Sequence, residues 1–162
     1  MAFSEKINCF VGNNGAGKTN LLDAIYYLSF TKSYFNSVDQ QNIRHGETFF
    51  AMHGIFQRNG GLPDQVSCIQ KAGVKKQIRI NQKDYERISD HIGQFPCVMV
   101  SPYDRDLINE GSDMRRKFID AVISQFDKAY LDNLIRYNRL LEQRNGLLKQ
   151  FSERRKADRA ML

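Results

Sequence analysis

The chain has 162 residues, 41% of them apolar and 26% charged, which supports one globular domain with an appendage and argues against disorder. No apolar run approaches the ~20 residues that cross a bilayer, and the opening Met-Ala-Phe-Ser-Glu-Lys-Ile-Asn holds no secretory segment, so a cytoplasmic location is expected. Lys plus Arg exceed Asp plus Glu by 24 to 18, a net charge of +6, which suits a polyanion binder without proving one.

Ile7 to Val11 reads as a short strand, and Lys18 to about Ser33 as a helix with an apolar face of Leu21, Leu22, Ile25, Leu28 and Phe30. Between them, Gly12-Asn13-Asn14-Gly15-Ala16-Gly17-Lys18-Thr19 satisfies every fixed position of the G-x-x-x-x-G-K-[ST] phosphate loop. Each residue type has a task. The glycines let backbone N–H groups and a helix N-terminus face negative charge. Lys18 is expected to reach the β- and γ-phosphates of a nucleotide and the Thr19 hydroxyl to hold Mg²⁺. The loop alone does not say what the phosphate energy is used for.

Three alternating runs follow, Phe49 to Phe56, Gln65 to Gln70 and Lys76 to Ile80, separated by Asn59-Gly60-Gly61 and Ala72-Gly73, and they predict an antiparallel meander. Asp84 to His91 is expected to be a short helix and Cys97 to Val100 another strand. Cys9, Cys68 and Cys97 are read as three buried free thiols. His45, His53 and His91 are too scattered to suggest a ligand set.

Ser101, Pro102 and Asp104 spell a helix start, and a second follows at Ser112. Beyond it Ile119, Ile123, Phe126, Tyr130, Leu134, Tyr137, Leu141, Leu148 and Phe151 form an apolar stripe, predicted to run along one long helix broken at most near Gly146 and to need a covering partner. Arg115, Arg116 and Lys117 fall in the first turns of the Ser112 helix, where the macrodipole disfavours cations. An exposed, solvated turn or a compensating anion would each explain them. From Arg136 to Arg159 there are eight Lys or Arg against three acids, a plausible phosphate-tracking face or simply a solvated helix.

Two stretches carry a family resemblance. Thr19-Asn20-Leu21-Leu22-Asp23-Ala24-Ile25 resembles the helix after the phosphate loop in the RecF/SMC/Rad50 group of ABC-type ATPases. Ser101-Pro102-Tyr103-Asp104 through Gly111-Ser112, with the paired Arg115-Arg116, is similar to the segment that leads into that group's second lobe. Within the group the likeness is to the RecF family.

The resemblance implies an α/β P-loop NTPase fold of ABC type with an antiparallel β subdomain, a nucleotide-binding core over residues 1–111 and the start of a helical lobe over 112–162. It implies ATP and Mg as cofactors, bound by Gly12, Asn13, Asn14, Gly15, Ala16, Gly17, Lys18 and Thr19, with the metal at Thr19. It further implies double-stranded DNA near single-strand gaps as ligand, recombination mediator proteins as partners, ATP-dependent homodimerisation, and a role in recombinational repair. Walker B acids and the signature segment are expected to lie outside this chain, so the chain is expected to be a fragment with half of a composite site, inactive alone. A typical ABC Q-loop glutamine does not follow Val100, where Ser101-Pro102 stands instead. The alternatives are an SMC-like structural chromosome ATPase, or a small kinase or GTPase. The latter is disfavoured by the lack of a guanine-reading Asn/Thr-Lys-x-Asp motif and of an arginine-rich lid.

Overall fold

The computed structural model describes residues 1–154 apart from 37, 59 and 110. The part of the basic stretch from 155 to 159 lies outside the described residues. The chain divides into two compact units, Met1–Val100 and the residues from Ser101 onward. Among the described residues no helix is long and apolar enough to cross a membrane.

The first unit is a helix, α1 (Lys18–Phe30), on a four-stranded antiparallel sheet of β1 (Phe49–Phe56), β2 (Asp64–Lys71), β3 (Gln77–Ile80) and β4 (Lys83–Asp84). The strands lie in the order β1-β2-β3-β4. Period-2 alternation puts Met52, Cys68 and Ile78 in one cross-strand row and Gly54, Val66 and Ile80 in the next. With Phe50 and Phe56 these side chains face Tyr27 and Leu28 of α1, and Phe95 completes the core. A Cβ on Gly54 would stand 2.7 Å from Leu28 Cδ1 and 3.2 Å from the Phe56 ring. That position is glycine so that α1 can lie close to the sheet.

β4 was not foreseen. Its hairpin turns at Asn81 and Gln82, both with positive φ of 49° and 67°, a primed-turn geometry without the glycine that usually announces it. The Asn81 side chain holds the turn, accepting from Gln65 N at 2.9 Å and donating to Asp64 Oδ1 at 2.8 Å.

Several expectations are corrected. Residues 7–11 form no strand and pair with none among the described residues, and Ile7 and Val11 are exposed. Residues 97–100 likewise form no ladder, although Cys97 and Met99 are half-buried. A strand exists only through a neighbour's hydrogen bonds, which a single segment cannot reveal. α1 stops at Phe30, three residues early, because Thr31 takes a left-handed conformation at φ 58° and its N–H returns to Tyr27 O. Only a 3₁₀ turn, Ile88–His91, occupies the predicted helix after Asp84. Cys9 is exposed and Cys97 half-buried, so of the three thiols only Cys68 is in the core, where burial pushes it up to about 12.

His91 is fully buried beneath α1. Its Nε2 lies 2.6 Å from Leu28 O and its Nδ1 3.1 Å from the Tyr85 hydroxyl. Since a carbonyl only accepts, Nε2 carries the proton and Nδ1 accepts from Tyr85.

In the second unit the start at Ser101 takes the expected form: Ser101 N donates to the Asp104 carboxylate and Ser101 Oγ accepts from Tyr103 N at 3.2 Å. A 3₁₀ turn Pro102–Arg105 leads into α2 (Asp106–Asn109), then α3 (Ser112–Ile123) and α4 (Lys128–Arg154). The helix break falls at residues 124–127 and not at Gly146, which is inside α4. Asp127 causes it by capping α4, accepting from Tyr130 N at 2.9 Å. An interior glycine costs only about 1 kcal/mol, which a 27-residue helix absorbs. Of the apolar stripe, Ile119, Phe126, Tyr137, Leu141 and Leu148 are exposed and Ile123, Tyr130, Leu134 and Phe151 half-buried, so among the described residues nothing covers it fully. At the start of α3, Arg116 pairs with Asp113, and Arg115 Nη1 donates to Leu107 O at 3.2 Å. All three cations of this turn are exposed, and Arg116 meets its carboxylate there at the surface.

The His91 environment makes stability pH-dependent. Burial holds its pKa below the ordinary 6.5, so between the folded and unfolded values the unfolded chain binds more protons and stability rises with pH. The neutral imidazole's contribution is therefore full above about pH 6.5 and is lost as pH falls toward the folded value. The urea midpoint of the first unit is expected to fall between about pH 7.5 and 5.5, and His91→Gln, which keeps a donor for Leu28 O, should flatten that fall.

Candidate functional site

Residues 12–17 of the phosphate loop form an exposed turn that runs into the first two residues of α1, the half-buried Lys18 and the exposed Thr19. Gly15 and Gly17 have φ of 83° and 86°, left-handed conformations that other residues adopt only at a cost of about 1–2 kcal/mol. No atom outside their neighbours would lie within 4 Å of a Cβ there, so the requirement is conformational and not a matter of space. Ala16 N closes the turn on Asn13 O at 3.2 Å. Gly17 is the N-cap and gives no side-chain cap, and the first turn of α1 contains no acid. The first intrahelical bond in the ladder is Leu21 N to Gly17 O at 3.0 Å, which leaves the N–H groups of Lys18, Thr19 and Asn20 without helical acceptors. Lys18 bends over the loop and donates to Gly12 O and Asn13 O, each at 2.8 Å.

Beside the loop lies a cavity of about 440 Å³ that starts at Thr19 and Asn20 and is bounded by Phe35, Asn36, Asn42 and Phe50 among others. Its far wall is held to α1 by residues that sequence reasoning passed over. Asp23 accepts from Ser33 Oγ at 2.6 Å and from Tyr34 N at 2.7 Å. Ser33 Oγ in turn accepts from Phe35 N and Asn36 N, so the chain after α1 folds back along it. Asn36 Nδ2 donates to Asn42 Oδ1 at 3.0 Å, while the buried Asn42 Nδ2 has no partner among the described residues.

A second network closes the other end of α1. Lys76 Nζ donates to Asp39 Oδ2 at 2.7 Å and to the carbonyl of Thr31, and it lies 3.2 Å from the Tyr27 hydroxyl. Tyr27 itself donates to Asp39 Oδ1 at 2.6 Å. Burial first, then the Asp39 carboxylate, push the Tyr27 phenol far above its ordinary value. Nothing in the local sequence marks Asp39 and Lys76 as partners, since 37 residues separate them.

The chain resembles known proteins throughout. A family model described as an AAA domain matches residues 1–160. The DNA replication and repair protein RecF of Phocaeicola vulgatus is 58% identical over 153 residues, 94% of this chain and 41% of that protein. RecF of Flavobacterium johnsoniae is 55% identical over 150 residues, 93% and 42% of the two chains. Among solved structures, the recombination mediator protein RecF-ATPrS in the RecFOR pathway superposes with a TM-score of 0.82 at 33% identity, covering 93% of this chain and 40% of that one. RecF-ATP in the same pathway gives 0.77 at 34% identity, covering 86% and 39%. The chain therefore spans about two fifths of the length of the curated relatives it matches, and its fold is that of an ABC-type P-loop ATPase with an antiparallel β subdomain leading into helices.

Asp23 makes the cavity wall testable. Hydrogen bonds to a charged group contribute about 1.5–3 kcal/mol each, so Asp23→Ala should destabilise the first unit by roughly that amount, read as a lower urea midpoint, while Leu22→Ala on the exposed side should change it less.

Proposed function

The chain belongs to the AAA domain family, and from that premise we propose that it is the Walker A portion of a RecF-type repair ATPase, binding ATP with Mg²⁺ and acting on DNA. The observation that carries the reading is the loop geometry: two left-handed glycines, an uncapped helix start without acids, and a lysine whose ammonium lies over the loop carbonyls. These residues fit a nucleoside triphosphate. Backbone N–H groups between Asn13 and Thr19, other than the Ala16 N–H already given to Asn13 O, would receive the phosphate oxygens, Lys18 would neutralise the terminal phosphates, and the exposed Thr19 hydroxyl would ligate the metal. Mg²⁺, when bound, supplies positive charge to the phosphates.

The wider reading follows the relatives. The full protein would dimerise with ATP on double-stranded DNA near single-strand gaps, in the cytoplasm, with recombination mediators as partners. Each active site would join this loop from one subunit to a signature segment from the other. The core would cover residues 1–111 and the helical lobe would begin at 112.

Two outcomes are expected. Lys18→Ala should weaken a fluorescent ATP analogue at least tenfold in titration while leaving the circular dichroism spectrum unchanged, because Lys18 serves the loop and not the core. Unchanged affinity in the folded variant would refute the site. The 162-residue chain should also show no phosphate release above background with Mg-ATP and DNA, and turnover that disappears in Lys18→Ala would contradict the composite-site reading.

A further inference from the structure

We propose that the end of the first unit opposite the phosphate loop is a second anion site, a surface on which Lys32, Lys71 and Lys75, flanked by Arg44, hold the phosphate backbone of duplex DNA. This rests on the DNA-binding reading above but assigns the contact to a place that the basic stretch of α4 does not include.

Backbone bonds gather these side chains. Ala72 N donates to Thr48 O at 3.0 Å and Lys71 stands opposite Phe49, so the turn at 44–48 lies against the β2–β3 turn at 71–75. Lys76 reaches the Thr31 carbonyl, which brings Lys32 to the same end. All four cations are exposed, and among the described residues none has an ion pair. Glu47 is the single acid in the two turns, and the nearby Asp39 is already neutralised by Lys76.

The surface is also held in shape. Gln70, a buried residue, donates from Nε2 to Lys71 O at 2.7 Å and to Val74 O at 3.0 Å, while Val74 N returns to Lys71 O. A buried amide spent on bracing a surface turn fixes the backbone that carries Lys71 and Lys75, so little order has to be gained when a ligand binds. α1 separates this surface from the phosphate loop by about 20 Å, at 1.5 Å per residue. The two ends cannot share one nucleotide. A repeating polyanion is the ligand that unpaired, spaced lysines on a rigid turn suit, because each one displaces a counterion from a backbone phosphate.

The test is the salt dependence of binding. Fluorescence anisotropy of a labelled duplex of about 30 base pairs, titrated with the 162-residue chain between about 50 and 300 mM KCl, gives the slope of log K against log salt. The triple variant Lys32→Gln, Lys71→Gln, Lys75→Gln should lose about one unit of slope per lysine, while Lys32→Arg, Lys71→Arg, Lys75→Arg should retain the wild-type slope. Thermal melting of both variants at the wild-type temperature establishes that they are folded. A wild type that binds duplex and a Gln variant with the same slope would overturn this surface and leave the DNA reading intact. A wild type that binds no duplex at any salt would overturn both. Loss of poly-glutamate binding with an unchanged duplex slope would assign the surface to an acidic protein and refute the proposal.

Discussion

The ammonium of Lys76 is the point on which the first unit turns. It is largely buried, at 13% side-chain exposure, and a charge so placed is tolerated only if every proton finds an acceptor. The Thr31 carbonyl and the Asp39 carboxylate supply two, and the Tyr27 hydroxyl and ring lie beside it. Each belongs to a different segment: the end of α1, the 3₁₀ turn after it, and the helix interior. One cation contributed by the β2–β3 hairpin therefore fastens three stretches of chain at once, and it does so at the negative end of the α1 dipole, where a positive charge is most favourable.

Because α1 is fastened there, its opposite end can be left open. The helix is located along its length by Gly54, which lets Leu28 approach the sheet, and by His91, which takes the Leu28 carbonyl. None of these contacts touches the loop. The exposed turn 12–17 is thus presented by a rigid element without being packed itself, the arrangement in which a binding loop keeps its geometry while its polar groups stay accessible. The same division explains the cavity wall. Asp39 and Asn42 share one 3₁₀ turn, so the network that fixes the helix end also sets where Asn42 stands.

Much of this was legible in the sequence, for identifiable reasons. The phosphate loop is readable because its spacing follows from chemistry local to eight residues. β1, β2 and β3 are readable because one face is apolar and the other polar, and their observed limits differ from expectation by at most one residue. What was not legible depends on distant partners. Ile7 to Val11 and Cys97 to Val100 have strand composition but no ladder, and nothing within five residues can report a missing neighbour. Lys76 and Asp39 look like two ordinary surface charges until the fold brings them together. The break between α3 and α4 was signalled by Asp127, a good N-cap, but the apolar stripe continues across it and hid the interruption.

The thiols add something of a different kind. Cys9 is open to solvent, whereas Cys68 has no exposure at all and lies between β1 and β3 with its thiol held in the neutral form. Only the thiolate is a nucleophile, so a disulfide reagent will consume Cys9 in a fast phase, the half-buried Cys97 after it, and Cys68 in a last, slow phase that waits on transient opening of the sheet. Without any added label, the slow phase becomes a clock for how often the sheet beneath α1 comes apart, and a ligand that tightens that unit will be seen to slow it.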